Sequence, residues 1–159
     1  MLVEIENLRI AFRSRAERFE AVRGVSFRVG KEKFAIVGES GSGKSLTARS
    51  LMQLLPGNAE VSADTLRFDG IDLRGASEKT LRQIRGRRVG FILQDPKYSL
   101  NPVMTIGQQI AEAWREHKGG SRKAAMQAAI GLLEQVKIRD AAAVALRYPH
   151  EVSGGMGQR

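Results

Sequence analysis

The chain of 159 residues is long enough for one globular domain, and its 42% hydrophobic and 27% charged residues exclude a disordered or fibrous chain. It contains no cysteine and only two histidines, which excludes a disulfide scaffold and argues against a protein-built zinc centre. A formal net charge of +9 admits nucleic acid, anionic lipid or phosphate ligands as partners.

Neither a membrane span nor a secretion signal is predicted. No segment reaches the roughly 18 consecutive apolar residues that a spanning helix needs. Glu4, Glu6 and Arg9 stand where a signal peptide would need its apolar stretch. We therefore expect a soluble, cytoplasmic chain.

The amino-terminal third has the alternating pattern of β-strands. Apolar and charged residues alternate in two short registers over residues 3–12, and they alternate again over residues 25–29. Residues 34–37 form a continuous apolar run, which is typical of a strand buried on both faces of a parallel sheet. A glycine-rich loop and a helical pattern over residues 44–55 follow, so we predict a strand–loop–helix unit.

The rest of the chain changes from strands to helices. We predict a small hairpin that turns at residues 69–70, a short helix over residues 77–84 and a strand over residues 89–93. Beyond these, Thr105 and Ser121 each precede an amphipathic helical pattern that they can cap.

Five basic side chains cluster in the middle of the chain: Lys79, Arg82, Arg85, Arg87 and Arg88. Such a cluster could grip phosphates, but a solvated helix face is the interpretation we favour. The aromatic residues do not interleave with the cluster, as a base-stacking surface would require.

The sharpest motif is a complete phosphate-binding loop, G-x-x-x-x-G-K-[ST]. Its residues are Gly38, Glu39, Ser40, Gly41, Ser42, Gly43, Lys44 and Ser45. Glycines let the backbone curl so that successive N–H groups point at phosphate oxygens. Lys44 would meet the β- and γ-phosphates, and the Ser45 hydroxyl would ligate Mg²⁺. We therefore predict that residues 38–45 bind a nucleoside triphosphate with magnesium.

Three ordered segments carry a resemblance to a known family. They are the loop that ends in Lys44-Ser45, the stretch Leu93-Gln94-Asp95-Pro96 with Ser99-Leu100-Asn101-Pro102, and Tyr148-Pro149-His150-Glu151-Val152-Ser153-Gly154-Gly155-Met156. Together they resemble the ATP-binding cassette (ABC) transporter ATPases. Within that family they look like the subunits that power oligopeptide, dipeptide and nickel importers, and the resemblance extends from about Val3 to Arg159.

The resemblance implies an α/β fold of the P-loop NTPase type. An ABC-type ATPase has an amino-terminal antiparallel β subdomain and an α-helical subdomain. We expect residues 1–159 to form part of one such domain, truncated after the signature motif. Residues 1–96 would be the β subdomain and P-loop core, and residues 97–159 the helical subdomain through that motif.

The resemblance also assigns site residues outside the loop. Gln94 stands at the Q-loop, which contacts Mg²⁺ and the attacking water, so Ser45 and Gln94 are the expected metal ligands. Ser153, Gly154, Gly155 and Met156 match the signature motif, although the family more often has Leu at Val152 and Gln at Met156. A serine cap and glycines at a helix start form a second anion site, which in the family faces the γ-phosphate held by another subunit.

The sequence does not assign a single role to three further positions. Phe12 stands about where an aromatic ring stacks on adenine, but a core phenylalanine fits the pattern equally well. Glu39 is interpreted as a solvent-facing loop residue rather than a general base, so no catalytic residue is assigned. Gly157 stands where these importers commonly have arginine.

The family's later motifs are a strand that ends in Asp-Glu, an aspartate-containing loop and a histidine switch. No residue of this sequence fills those roles. Because phosphoryl transfer depends on a positioned water, we expect these 159 residues alone to bind ATP and Mg²⁺ without repeated turnover.

The resemblance implies an energy-coupling ATPase of an importer for peptides, nickel or related small solutes. Its expected partners are transmembrane permease subunits and a second ATPase subunit in a head-to-tail dimer, at the inner face of the cell membrane. One alternative is a soluble ABC-type ATPase that acts on nucleic acid or ribosomes. Such relatives usually carry coiled-coil insertions, and residues 97–147 contain no sustained heptads, so we expect no nucleic acid partner. The other alternative is a fragment that only binds.

Overall fold

A computed structural model describes residues 1–14, 17–93 and 99–159. The chain divides into two compact units, residues 1–90 and residues 91–159, which are described separately.

The described residues of the first unit form five strands and two short helices. Their bounds are β1 Val3–Arg13, β2 Arg18–Val29, α1 Lys44–Ser50, β3 Ala59–Ser62, β4 Thr65–Phe68, β5 Ile71–Asp72 and α2 Glu78–Ile84. The second unit is helical. Its elements are α3 Ile106–Lys118, α4 Arg122–Gln135, α5 Ala141–Ala145, a 3₁₀ turn Pro149–Glu151 and α6 Gly154–Gln158.

All five strands belong to one antiparallel sheet built around β1. One edge of β1 pairs with β2, and its other edge pairs with β4 near its start and with β3 near its end. β5 completes the sheet as the second strand of the hairpin with β4, which confirms the predicted hairpin. The antiparallel amino-terminal β subdomain is thus present.

A bulge in β1 explains why its apolar residues follow two registers. The pairing with β2 shifts between Ile5 and Leu8, and Asn7 between them has a φ of 49°. The Asn7 N–H leaves the ladder and donates to the Ser26 hydroxyl at 2.8 Å. The extra residue at the bulge keeps the apolar side chains on the inner face of the sheet. Ile5, Leu8 and Ile10 are accordingly all fully buried.

The core of the first unit lies between the sheet and the two short helices. Its buried residues are Ile5, Leu8, Ile10, Val22, Leu66, Phe68, Leu73, Leu81 and Ile84. Ser77 caps α2 by accepting a hydrogen bond from the Thr80 N–H, as predicted.

The predicted basic cluster is only partly a solvated face. The Arg85 guanidinium donates to the carbonyl oxygens of Met52 at 2.8 Å and Gln53 at 3.2 Å, and it pairs with Glu78 at 2.9 Å. Arg88 pairs with Asp69 and lies over the Phe68 ring. Both side chains therefore hold the fold together.

Two expectations for this part of the chain are wrong. Residues 34–37 form no strand and are exposed, with Val37 91% exposed. The run 89–93 makes a single bridge between Arg85 and Val89, and Ile92 is 85% exposed. A buried parallel strand needs hydrogen-bonded neighbours on both sides, and no described residue pairs with residues 34–37.

The predicted helix over residues 44–55 is also shorter than expected. α1 ends at Ser50, and Gln53 has a left-handed φ of 51°. The Arg85 guanidinium donates to the carbonyl oxygens of Met52 and Gln53. These oxygens therefore have hydrogen-bond partners although the helix does not continue.

The helical unit confirms the two predicted caps. Thr105 accepts from the Gln108 N–H in a capping box, and Ser121 accepts from the Ala124 N–H. Sequence patterns missed α5, which is only five residues long and begins with three alanines. Its buried residues join one of the two small cores of this unit. That core contains Ile106, Leu133, Ile138, Ala141, Val144 and Ala145.

One ion pair gives the first unit a dependence on pH. The Arg74 guanidinium and backbone N–H both donate to the Asp72 carboxylate, and they lower the pKa of Asp72 from 3.8 to about 2.

A lowered pKa of Asp72 stabilises the folded chain above pH 3.8, and this stabilisation is lost as the pH falls towards 2. We expect Asp72→Asn to melt at a lower temperature than the original chain at pH 6, and the difference to shrink by pH 2. A difference independent of pH would contradict the pairing.

Candidate nucleotide-binding site

The phosphate loop forms a tight exposed turn before α1. The Ser42 N–H donates to the Glu39 carbonyl oxygen at 3.3 Å, which closes the turn. Gly43 lies at the base of the loop with a φ of 88°, a conformation that L side chains rarely adopt. A Cβ at Gly43 would lie 2.8 Å from the Val22 side chain and 3.0 Å from the Ala21 carbonyl oxygen, so β2 supports the loop directly.

Lys44 lies inside this turn rather than in solvent. Its ammonium donates to the carbonyl oxygens of Gly38 at 2.7 Å and Glu39 at 2.6 Å, and to the Ser42 hydroxyl at 3.3 Å. The mobile charge that the motif supplies is therefore already held at the concave side of the loop. An anion in the loop would meet this ammonium beside curled backbone N–H groups.

The start of α1 fixes the other end of the loop. Both the N–H and the hydroxyl of buried Thr47 donate to the Gly43 carbonyl oxygen, at 2.9 Å and 3.1 Å. Ser45, in the first turn of α1, is exposed and available to a ligand. The helix leaves its first N–H groups without partners within the helix, beside the Lys44 ammonium.

The loop fits a nucleotide phosphate with magnesium. The space beside Gly43 is already filled by the Val22 side chain and the Ala21 backbone, so a larger residue there would distort the turn. Lys44 and the backbone N–H groups of residues 38–45 would hold the phosphates, and the Ser45 hydroxyl would ligate Mg²⁺. The motif predicts these residues from a contiguous stretch, and their role in binding stays a prediction. It gave no signal for Val22 or Thr47, which support the loop from the core.

Gln94 and Phe12, the predicted residues outside the two glycine-rich segments, have different outcomes. Gln94, the expected second metal ligand, lies outside the described residues. Phe12 is half-buried on β1, opposite Phe19, and packs against the core of the first unit. That packing is the core alternative considered for Phe12, and stacking on adenine stays a prediction.

The predicted signature segment begins a helix in the second unit. Ser153 caps α6 by accepting from the Met156 N–H at 3.3 Å, and Gly154 and Gly155 are exposed in its first turn. Met156 packs against the core of the helical unit, so its side chain has a structural role. The cap lines a cavity of about 430 Å³. Other residues that line it are Leu100, Pro102, Pro149, His150, Val152 and Gly157.

Comparison with known proteins decides the family. The sequence model of the ABC transporter family matches residues 22–159, which is most of the chain. The chain belongs to the ABC transporter family. The predicted resemblance is thereby confirmed.

Curated relatives match almost the whole chain. A protein of Brucella abortus named as a peptide import ATP-binding protein is 47% identical over 99% of this chain and 49% of its own length. The dipeptide transport ATP-binding protein DppD of Bacillus subtilis is 44% identical over 99% of the chain and 48% of its own length. The glutathione import ATP-binding protein GsiA of Pectobacterium atrosepticum is 45% identical over 99% of the chain and 26% of its own length. The chain thus spans about half the length, or less, of the curated relatives it matches.

Solved structures confirm the fold. The ATP-binding cassette MJ0796, in a structure titled as a dimeric post-hydrolysis state bound to ADP and Pi, superposes with a TM-score of 0.77 at 24% identity. The match covers 98% of this chain and 65% of that one. The predicted ABC ATPase fold is therefore correct. No helix among the described residues has the length and apolar character to cross a membrane.

Proposed function

We propose that this chain is the ATP-binding, energy-coupling part of an ABC importer subunit for peptides, nickel or related small solutes. The observation that carries the proposal is the intact phosphate loop, with the Lys44 ammonium held by three loop oxygens. The names of its relatives, which refer to peptide, dipeptide and glutathione import, support the substrate class.

Different residues have different proposed roles in binding ATP. The backbone N–H groups and Lys44 bind and orient the β- and γ-phosphates, which requires the ammonium to leave its oxygen partners in the loop. Mg²⁺ supplies charge neutralisation between the phosphates when bound, and Ser45 and Gln94 are its proposed ligands. Phe12 is a candidate for contact with adenine.

The signature segment supplies the proposed contact with a second ATPase subunit. Ser153 caps α6, and the glycines that follow expose the backbone at the helix start. In a head-to-tail dimer this end would face the γ-phosphate bound by the partner subunit. Dimeric cassettes of the same fold support this arrangement. Transmembrane permease subunits at the inner membrane face are the other proposed partners.

Titration calorimetry with ATP, with and without Mg²⁺, tests the proposal. We expect the chain to bind ATP and to bind it more tightly with Mg²⁺. Ser45→Ala should weaken ATP binding about tenfold in Mg²⁺, because the hydroxyl that would ligate the ion is lost. In EDTA, which removes Mg²⁺, the substitution should change the affinity for ATP little. Ser62→Ala, at the exposed last residue of β3, is the matched control. Absence of ATP binding by the original chain would refute the proposal.

A further inference from the structure

The positive charge of the helical unit is concentrated at one turn. Residues 91–159 contain nine Lys and Arg and six Asp and Glu. The stretch 115–123 contains four of those basic residues and only one of the acidic ones, so the rest of the unit is balanced. The four are Arg115, Lys118, Arg122 and Lys123, hereafter the basic turn.

The basic turn is exposed, and its members form no ion pair with any residue that the structure describes. Its members occupy the last turn of α3 and the first turn of α4, on either side of Gly119-Gly120-Ser121. All four are exposed. Within the described ranges every ion pair lies between residues 6 and 88, so no described acidic residue of the helical unit forms an ion pair with these four.

Part of this charge opposes the stability of the fold. Arg122 and Lys123 are the first two residues of α4, and the first turn of that helix contains no acidic residue. Cations at this end of a helix are unfavourable, because the N-terminus carries partial positive charge. The charges of Arg122 and Lys123 therefore do not help the helix they begin, which is typical of residues kept for binding a ligand.

A cleft beside the basic turn has a suitable chemistry. It encloses about 530 Å³ between α3 and α4. Its floor contains the less exposed Met104, Ala111 and Met126, while Arg115, Arg122 and the carboxylate of Glu112 lie at its rim. Two guanidinium groups above flexible thioethers suit an anionic headgroup attached to an apolar body.

The geometry points to the basic turn as a contact for anionic phospholipid headgroups, with the cleft receiving the glycerol region beneath them. Four cations reach the number that is typical of segments attracted to an anionic leaflet. Trp114, the sole tryptophan, is half-buried against the alanines of α4, so the turn offers no free tryptophan for stacking on bases. The observations therefore favour a lipid surface over nucleic acid, and the inference is independent of nucleotide binding.

Vesicle flotation of the 159-residue chain tests the inference. We expect binding to phosphatidylcholine vesicles that contain about a third phosphatidylglycerol, little binding to pure phosphatidylcholine, and weakening between low salt and about 0.15 M salt. Arg122→Glu with Lys123→Glu should lower binding at least tenfold, since two attractive charges become repulsive. The same double variant should melt no lower than the original chain, because acidic residues favour this helix end.

Controls separate the possible outcomes. Lys31→Glu with Lys33→Glu makes the same change of charge at an exposed turn of the first unit and should leave vesicle binding intact. Lys44→Ala should also bind vesicles normally, so failure of nucleotide binding and failure of this inference are distinguishable. Equal loss in both double variants, competition by millimolar inorganic phosphate, tighter binding to duplex DNA at the same salt, or no preference for phosphatidylglycerol would each overturn the inference.

Discussion

Lys44→Ala is expected to weaken ATP binding by one to two orders of magnitude. The Lys44 ammonium donates to two carbonyl oxygens and one hydroxyl of the loop, so its charge lies within the proposed phosphate site. Charge-assisted hydrogen bonds of this kind contribute about 1.5–3 kcal/mol each, which corresponds to roughly tenfold to a hundredfold in affinity.

We expect Lys44→Ala to fold normally, so that a change in its affinity for ATP can be attributed to the lost ammonium. Residues 38–42 are exposed, and none of them belongs to the core of the first unit. We therefore expect the melting temperature of Lys44→Ala to stay close to that of the original chain. Lys31→Ala removes the same charge from an exposed turn and should bind ATP normally. Unchanged calorimetric titration of Lys44→Ala would contradict the assignment of the loop.

Local signals in the sequence predicted local structure well. Ser77, Thr105, Ser121 and Ser153 each cap the helix that follows, because capping depends on the cap residue and the next three N–H groups. The turn over residues 38–45 before α1 could be predicted for the same reason, because its signal is contiguous, and its role in nucleotide binding stays a prediction.

Long-range pairing could not be predicted from the same signals. The apolar run 34–37 has the composition of a buried strand, but burial depends on neighbours that composition does not specify. In the structure Phe34 instead stacks on Phe27 at 5.2 Å between ring centroids, while Val37 stays exposed. The end of α1 likewise depends on Arg85, more than thirty residues downstream, which no local pattern of residues 44–55 reveals.

The residues that hold the phosphate loop in place could not be predicted from the sequence either. Val22 on β2 and Thr47 in α1 hold the base of the loop at Gly43, yet each belongs to an ordinary apolar or helical pattern in the sequence. The motif predicts which residues would meet a ligand. The residues that hold the motif in shape become visible only when strands distant in sequence are brought together.

A close approach between two helices gives the largest expected effect on stability. Gly107 lies in the first turn of α3 and is buried. A Cβ there would lie 2.7 Å from the Ala145 carbonyl oxygen and 2.9 Å from both the Ala145 Cβ and the Met126 sulfur. The backbone at the end of α5 cannot move freely, because the Ile106 N–H donates to the Arg147 carbonyl oxygen at 2.9 Å. The sequence shows only a glycine inside a helical pattern.

We expect Gly107→Ala to destabilise the helical unit by about 1–3 kcal/mol, as overpacking of a tight contact does. Gly131→Ala is the matched control, because Gly131 lies within α4 and an added Cβ would meet nothing within 4 Å. That substitution should stabilise its helix by about 0.5–1 kcal/mol. Trp114, in α3, is the only tryptophan, so urea unfolding followed by its fluorescence reports on this unit directly. If both variants shift the unfolding midpoint upward, α3 and α5 do not approach each other as closely as the structure shows.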